Sequence, residues 1–320
     1  MNQPLISIIT PTLNSAHTLE KAIGSVLQQT YNEIEHVFVD GLSSDETVPI
    51  IKTFLDRYTY SFLLTEKDNG IYDAMNKGLR VCRGDWIYFM GADDEFYDDY
   101  VLTELVSRGL LNQENIVYGN VIIRGDTVWA KNNEVYDGMF DLPKLLRKNI
   151  CHQGIFYPRS VIEKVGFYSE NYPVTADWDY NLRCFAKYQF TFVDRIIAYF
   201  QSGGRSTRGD NSKFFNDLPK NILAYFNLDP DDSNLRKKDS PFAPILNRFD
   251  ELHGGPATTK AEREPDNNTT SRSVSLCPEA ISGGISLFTA LKNRNEMLEA
   301  ALKTWITHDT IDEIIILDWG

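Results

Sequence analysis

Between residues 5 and 96 the chain alternates two kinds of apolar spacing, and this alternation restricts its fold more than any other feature. The run LISIITPT (5–12) is apolar on both faces, as a strand covered on two sides must be. Leu19, Ala22, Ile23, Val26 and Leu27 then recur at helical spacing, EHVFVD (35–40) reads as a second strand, and Val48, Ile51, Phe54, Leu55 and Tyr58 line a second helix. After Asp68-Asn69-Gly70, Ile71, Ala74, Met75 and Leu79 predict the buried side of a third helix, with Asp73, Asn76, Lys77 and Arg80 opposite. The strand WIYFM (86–90) then runs into Asp93, Asp94 and Glu95. This order predicts a Rossmann-like α/β fold, a mostly parallel central sheet with flanking helices, whose ligands bind beyond the carboxyl ends of the strands. Asp40, Asp93 and Asp94 fall at such ends.

After residue 114 the pattern changes to a hairpin, IVYGNVIIRGDTVWA (116–130), and then to short mixed elements as far as TFVDRIIAYFQ (191–201). Residues 251–273 contain one Leu and no aromatic residue, too little apolar surface to order a segment, and read as a linker. Beyond it, residues 285–318 can be set over residues 6–40 with one gap. Ile6, Ser7, Thr10, Asn14, Leu19, Glu20, Ala22, Glu35 and Asp40 then meet identical residues at Ile285, Ser286, Thr289, Asn293, Leu298, Glu299, Ala301, Glu313 and Asp318. The polar matches favour a repeat over a shared apolar pattern. The expected organisation is a catalytic domain over 1–250, a flexible linker over 251–280 and an incomplete β-α-β repeat over 281–320, the truncated start of a second domain.

A formal charge of -13 argues against a nucleic-acid partner, whose phosphates require a basic footprint. Cys82, Cys151, Cys184 and Cys277 are scattered, with no CxxC or zinc spacing, which suits a reducing cytoplasm. No apolar run approaches the 18 residues of a membrane span, and none of the early residues forms a basic segment followed by a long apolar one, so neither a span nor a signal peptide is expected.

Three acids at a strand tip repel one another unless a cation joins them. Carboxylates at a ligand-facing edge suit Mg²⁺ or Mn²⁺, which bind through one or two such groups and a substrate phosphate. Thr10, Pro11 and Asn14 at the end of the first strand would form a wall of that site. Asp40 could accept hydrogen bonds from a ribose or a base. In TADWDYNLRCFAKY, Asp177 falls in the first turn of a predicted helix, where a negative side chain is favoured, and Asp179 is the reserve candidate for its role. Arg205 and Arg208 in FQSGGRSTRGDN suggest a lid that grips a diphosphate, and His152 and Gln153 could line an acceptor side. The first strand leads into TPTLNSAHT and not into GxGxxG, which disfavours a dinucleotide oxidoreductase.

SIITPTLN, VFVDGLSSDET, EKDNGIYDAMNKG, GDWIYFMGADDEF, CHQGIFYPRSVIEKVGFYSENY and ADWDYNLRC, in this order, resemble family 2 glycosyltransferases of the GT-A fold, bacterial polysaccharide-assembly enzymes especially. The similarity covers roughly residues 4–210. It implies a nucleotide-sugar donor, uridine-linked by resemblance alone, a glycan or lipid-linked sugar acceptor, Mn²⁺ or Mg²⁺, and inversion at the anomeric carbon. By position it assigns the nucleotide to the TPTLN loop, Asp40 and Asp68, the metal to Asp93 and Asp94, and the catalytic base to Asp177. Lys77, Asp93 and Arg205 complete the expected donor-binding set. The implied location is the cytoplasm, at the inner face of the membrane through the acceptor. Gly91, Gly41 and Ala176 stand where the family often has an acid. They keep open an alternative, a noncatalytic nucleotide-sugar-binding or scaffold module of a longer protein.

Overall fold

A computed structural model describes residues 3–58, 60–112, 114–127, 129–203, 211–253, 285–291 and 311–318. The chain divides into two compact units, residues 1–257 and 258–320.

In the first unit the sheet begins as sequence patterning predicts. Strand β1 (Ile6–Thr12) is followed by α1 (Ala16–Leu27), β2 (Ile34–Asp40) and α2 (Thr47–Phe54). Every residue of β1 and β2 is buried, because helices cover both faces. Strand β3 (Tyr60–Thr65) lies at the sheet edge and is only half covered; the apolar pattern left it unassigned because neither face is dry. Helix α3 (Ile71–Val81) starts after Gly70, whose φ of +132° is open to glycine and strained for any other residue. Strand β4 (Trp86–Phe89) then pairs parallel to β1.

The remaining elements are β5 (Glu95–Phe96), α4 (Val101–Ser107), β6 (Ile116–Arg124), β7 (Val135–Tyr136), α5 (Leu142–Leu145), β8 (Ile155–Pro158), α6 (Val161–Lys164), α7 (Ala176–Phe185), β9 (Phe190–Gln201), α8 (Ser212–Tyr225) and α9 (Ala243–His253). The strand order is β3-β2-β1-β4-β8-β6-β9-β5, with β7 on β6. The β3-β2-β1-β4 part is parallel, whereas β8 is antiparallel to both β4 and β6. The predicted hairpin forms, but its return strand is Val135–Tyr136 and not the segment before Ala130. Thr127 Oγ1 accepts the N–H groups of Trp129 and Ala130, closing a turn where a strand was expected.

A buried aromatic stack joins the two halves. Tyr88 of β4 lies 4.9 Å from Phe96 and 4.7 Å from Phe156, ring centre to ring centre, and its hydroxyl donates to the backbone oxygen of Gln153. Helix α9 continues to His253, so the first three residues of the expected linker are helical. Residues 254–284 lie outside the described residues.

In the second unit β10 (Ile285–Leu291) pairs parallel to β11 (Ile311–Asp318), with Ser286 opposite Glu313 and Leu291 opposite Asp318. In β1 and β2, Ser7 is opposite Glu35 and Thr12 opposite Asp40. The helix expected between the two later strands lies outside the described residues.

Candidate functional site

Two cavities open at the carboxyl ends of the strands. The first, about 300 Å³, is lined by the loop after β1 (Pro11 to Ser15), the start of α1 with His17, Asp68, Ile71 and the turn after β4 with Gly91 and Asp93. Its wall is braced from beneath. Asn14 has a φ of +50°, a left-handed conformation that asparagine tolerates, and its Oδ1 accepts the N–H of Ser44. Asp40 is fully buried and accepts from Thr12 Oγ1 and from both the N–H and hydroxyl of Ser43. It holds the two loops together and is not part of the lining.

The three acids after β4 have separate surroundings. Glu95 pairs with Arg124 at 2.6 Å. Asp94 is 1% exposed and accepts N–H groups from Gly91, Gln201 and the Gln153 carboxamide, at 3.0, 3.1 and 2.9 Å. Three of its four lone-pair positions are thus taken. Burial nevertheless raises its pKa. Asp93 lines the cavity with no hydrogen-bond partner among the described residues beyond its own backbone N–H, and burial together with the charge of Asp94 pushes its carboxyl up to about 6. Such a carboxylate, desolvated beside a like charge, fits a divalent cation. Asp93 is the group free to hold one, with Asp94 as its anchored neighbour. Among the described residues no group of three or more His, Cys, Asp or Glu could enclose an ion, so a substrate phosphate would have to complete the coordination.

Gly91 and Gly41 have steric reasons for lacking a side chain. A β-carbon on Gly91 would lie 2.6 Å from Asp94 Oδ2 and 2.9 Å from Asp93 Oδ1. One on Gly41 would lie 2.1 Å from Asp68 Oδ2, and Asp68 is fixed by the Gly70 N–H on its other oxygen. Asp68 occupies the room that an acid at 41 would need.

The second cavity, about 290 Å³, contains Asp177 among Trp129, Tyr136, Trp178, His152, Gln153 and Asn211. Asp177 is held on both oxygens. Oδ1 receives the Trp178 N–H at 2.9 Å and shares the single proton of the Tyr72 hydroxyl, 3.0 Å away, with the backbone oxygen of Val174; Oδ2 receives Asn149 Nδ2 at 2.9 Å. Asn149 is oriented in turn by Asn181 Nδ2, and Asn181 by the Tyr157 hydroxyl. His152 Nδ1 lies 3.6 Å from Asp177 Oδ2, beyond hydrogen-bond length. Asp179 is 1% exposed, paired with Arg183 at 2.9 Å, and does not reach this cavity.

Two short paths join the cavities. Ile71 lines the first, and its neighbour Tyr72 bonds Asp177 in the second. Asp93 lines the first, and its neighbour Asp94 bonds Gln153 in the second.

Of the residues expected at the donor, Pro11, Asn14, Asp68 and Asp93 share the first cavity. Thr10 does not: it is 1% exposed, and its hydroxyl bonds His36 Nε2 in the core. Lys77 is occupied elsewhere too. Its ammonium donates to Lys67 O and pairs with Glu66 and Asp73, pinning the 66–70 loop. Asn76, expected on the side opposite the apolar one, is 1% exposed and clamps the backbone of Tyr168 through both amide atoms. Arg205 and Arg208 lie outside the described residues. Tyr72, Asn149 and His17 were not expected at the site, and no local sequence pattern marks them.

A parallel sheet that turns antiparallel after β4, with acids at that junction and a further carboxylate across the cleft, defines the GT-A glycosyltransferase fold. The Glycosyl transferase family 2 model matches residues 7–165. A PGL/p-HBAD biosynthesis glycosyltransferase of Mycobacterium tuberculosis is 38% identical over 225 residues, covering 68% of this chain and 86% of that protein. The chain belongs to glycosyl transferase family 2 and is a glycosyltransferase. Solved structures below 20% identity share the fold. Staphylococcus aureus TarS 1–349 in complex with UDP-GlcNAc superposes with a TM-score of 0.60 at 17% identity, covering 78% of this chain and 73% of that one. The chain spans 43% of the longer TarS structure. The mannosyltransferase PcManGT of Pyrobaculum calidifontis, in complex with GDP-Man and Mn²⁺, gives 0.51 at 18% identity, covering 79% and 71%.

Proposed function

We propose that this glycosyltransferase binds a nucleoside-diphosphate sugar in the first cavity and transfers the sugar to a hydroxyl of a glycan or glycolipid acceptor in the second. One observation carries the reading: Asp177, held on both oxygens, lies in a cavity joined to that of Asp93 through neighbouring residues on two separate paths. Asp177 takes the proton from the acceptor hydroxyl, which attacks the anomeric carbon from the side opposite the leaving diphosphate, so configuration inverts. Tyr72 and Asn149 fix the direction of its lone pairs. Asp68 and the 11–15 loop hold the nucleotide, for which uridine is our choice. Asp93, with Asp94 beside it, would hold Mn²⁺ or Mg²⁺, whose charge offsets that of the diphosphate when bound.

The two nucleotide-sugar complexes among the structural neighbours support the donor class, and the name of the mycobacterial relative supports a biosynthetic glycosyl transfer. Among the described residues no helix is long and apolar enough to cross a membrane. We place the reaction in the cytoplasm, meeting the membrane only through the acceptor. We also assign residues 281–320 to a second copy of the β1-α1-β2 unit; the equivalent registers of Ser7–Glu35 and Ser286–Glu313 support it.

A thermal-shift screen of nucleotide sugars with and without Mn²⁺ tests the donor reading, since a ligand of the native state raises the Tm. A rise for one nucleotide family, larger with Mn²⁺, is expected. No shift with any member, in either condition, sinks it.

A further inference from the structure

Two amide oxygens of side chains that line the second cavity are buried with no hydrogen-bond donor among the described residues. Gln153 is 4% exposed, and its carboxamide orientation is fixed because Nε2 donates to Asp94 Oδ2 at 2.9 Å. Its Oε1 is therefore directed away from Asp94 and receives no hydrogen bond. Asn211 precedes α8 at the position where an asparagine normally caps the helix with its side-chain oxygen. It makes no such cap, and its Oδ1 is also buried without a partner. Both residues line the cavity of Asp177. A buried carbonyl without a donor weakens the fold. Two such groups on residues of one cavity lining, with Trp129 and Trp178 on the same lining, match a ligand that offers hydroxyl donors and apolar C–H surface together.

We propose that Gln153 Oε1 and Asn211 Oδ1 are specificity determinants that accept hydrogen bonds from sugar hydroxyls in the Asp177 cavity. The inference rests on the glycosyltransfer reading and adds which atoms select the sugar. Gln153 links the two ends of the site: one amide atom steadies Asp94, and the other reads the sugar. The hydroxyls come from the transferred sugar or from the acceptor sugar, and the experiment separates the two.

The full chain, as Gln153→Met and Asn211→Ala beside the parent, is titrated with Mn²⁺ and UDP-GlcNAc, UDP-glucose or GDP-mannose, and with UDP and GDP alone. A second arm titrates methyl hexopyranosides onto the UDP-saturated proteins by saturation-transfer NMR. A site built around a substrate hydroxyl discriminates strongly when the pairing is lost. Gln153→Met should weaken binding of the nucleotide sugar, or of a glycoside, by about 10-fold or more. Bare nucleotide affinity should stay within about twofold in Asn211→Ala; Gln153→Met also loses the donor to Asp94, so its loss for the sugar-bearing ligand should exceed its loss for the bare nucleotide by about 10-fold. The arm that responds names the source of the hydroxyl. Equal loss for sugar nucleotide and bare nucleotide would show that Gln153 acts only through Asp94 and would overturn the proposal, as would no change in either arm. If Gln153→Met fails to fold by circular dichroism, Asn211→Ala decides by the same criteria, because its Oδ1 supports no protein group. Failure of every nucleotide to bind the parent protein refutes the donor reading itself, and this proposal with it.

Discussion

Asp93 and Asp177 line two cavities joined through neighbouring residues, yet the protein treats the two carboxylates in opposite ways. Asp177 has three donors on its oxygens and a second tier of Asn181 and Tyr157 behind one of them. Asp93 has none from another of the described residues and is pushed up to about 6. The side of the proposed base is preorganised by the protein, whereas the proposed donor side is left frustrated until something positive arrives. A group that must hold one direction in every turnover is fixed in the fold; a group that must release its partner with each product is not.

Asp177→Asn should break the comparison most severely. Transfer should fall by about 10³-fold or more, the scale of general-base removal, with nucleotide-sugar affinity unchanged. Steady-state kinetics beside calorimetry would check it; parental kcat would remove Asp177 from its assigned role. Asp93→Asn should act on the other side, erasing the gain in donor affinity from Mn²⁺. The same variant should be more stable than the parent without cation at pH 7. The sign follows from the raised pKa: the folded state holds the Asp93 proton up to about 6, while an unfolded chain releases it near the ordinary aspartate value of 3.8. The parent therefore loses stability as pH rises from below 4 through 6, by at most about 3 kcal/mol at 1.36 kcal/mol per pKa unit. Melting curves at pH 4 and pH 7 should show the advantage of Asp93→Asn only at the higher pH. Mn²⁺-dependent donor affinity in the parent should likewise weaken below about pH 6, as Asp93 takes up its proton.

Tyr72→Phe sharpens the contrast, since it removes one support of Asp177 and leaves the first cavity intact. A loss in kcat of about 10-fold is expected with donor affinity nearly unchanged, and a stability loss of about 1–3 kcal/mol because the hydroxyl serves both Asp177 and the backbone oxygen of Val174. A fall in donor affinity alone would place Tyr72 on the donor side instead. The smallest effect on catalysis should come from Thr10→Val. It leaves buried His36 without its one partner, costing about 1–3 kcal/mol of stability, with donor affinity untouched.

The parallel half was legible because its signal is local. Leu19, Ala22, Ile23 and Val26 repeat at helical spacing and are buried, and the strand-end rule pointed to Asp93 without any knowledge of tertiary contacts, whereas Asp68 followed from the family resemblance alone. The base side was less legible for the opposite reason. Tyr72 and Asp177 are 105 residues apart, and nothing in IYDAMNKG distinguishes a tyrosine bonded to a carboxylate from one that fills the core. Lys77 and Thr10 show a different failure. Both residues belong to the right segments, but helical and strand spacing report a side and not a partner, and each is claimed by a neighbour inside the protein. Gln153 could be noted in the sequence, but its divided amide depends on Asp94 being buried.

The space above Gly41 carries a consequence for how this site can change over time. Because Asp68 fills it, an acid introduced at 41 must displace that carboxylate and forfeit its tie to Gly70, so neither position is free to drift while the other stays put. In a library randomised at both, functional clones with aspartate at 41 should carry a smaller residue at 68. The two sites would then show epistasis that a one-at-a-time scan would record as simple intolerance.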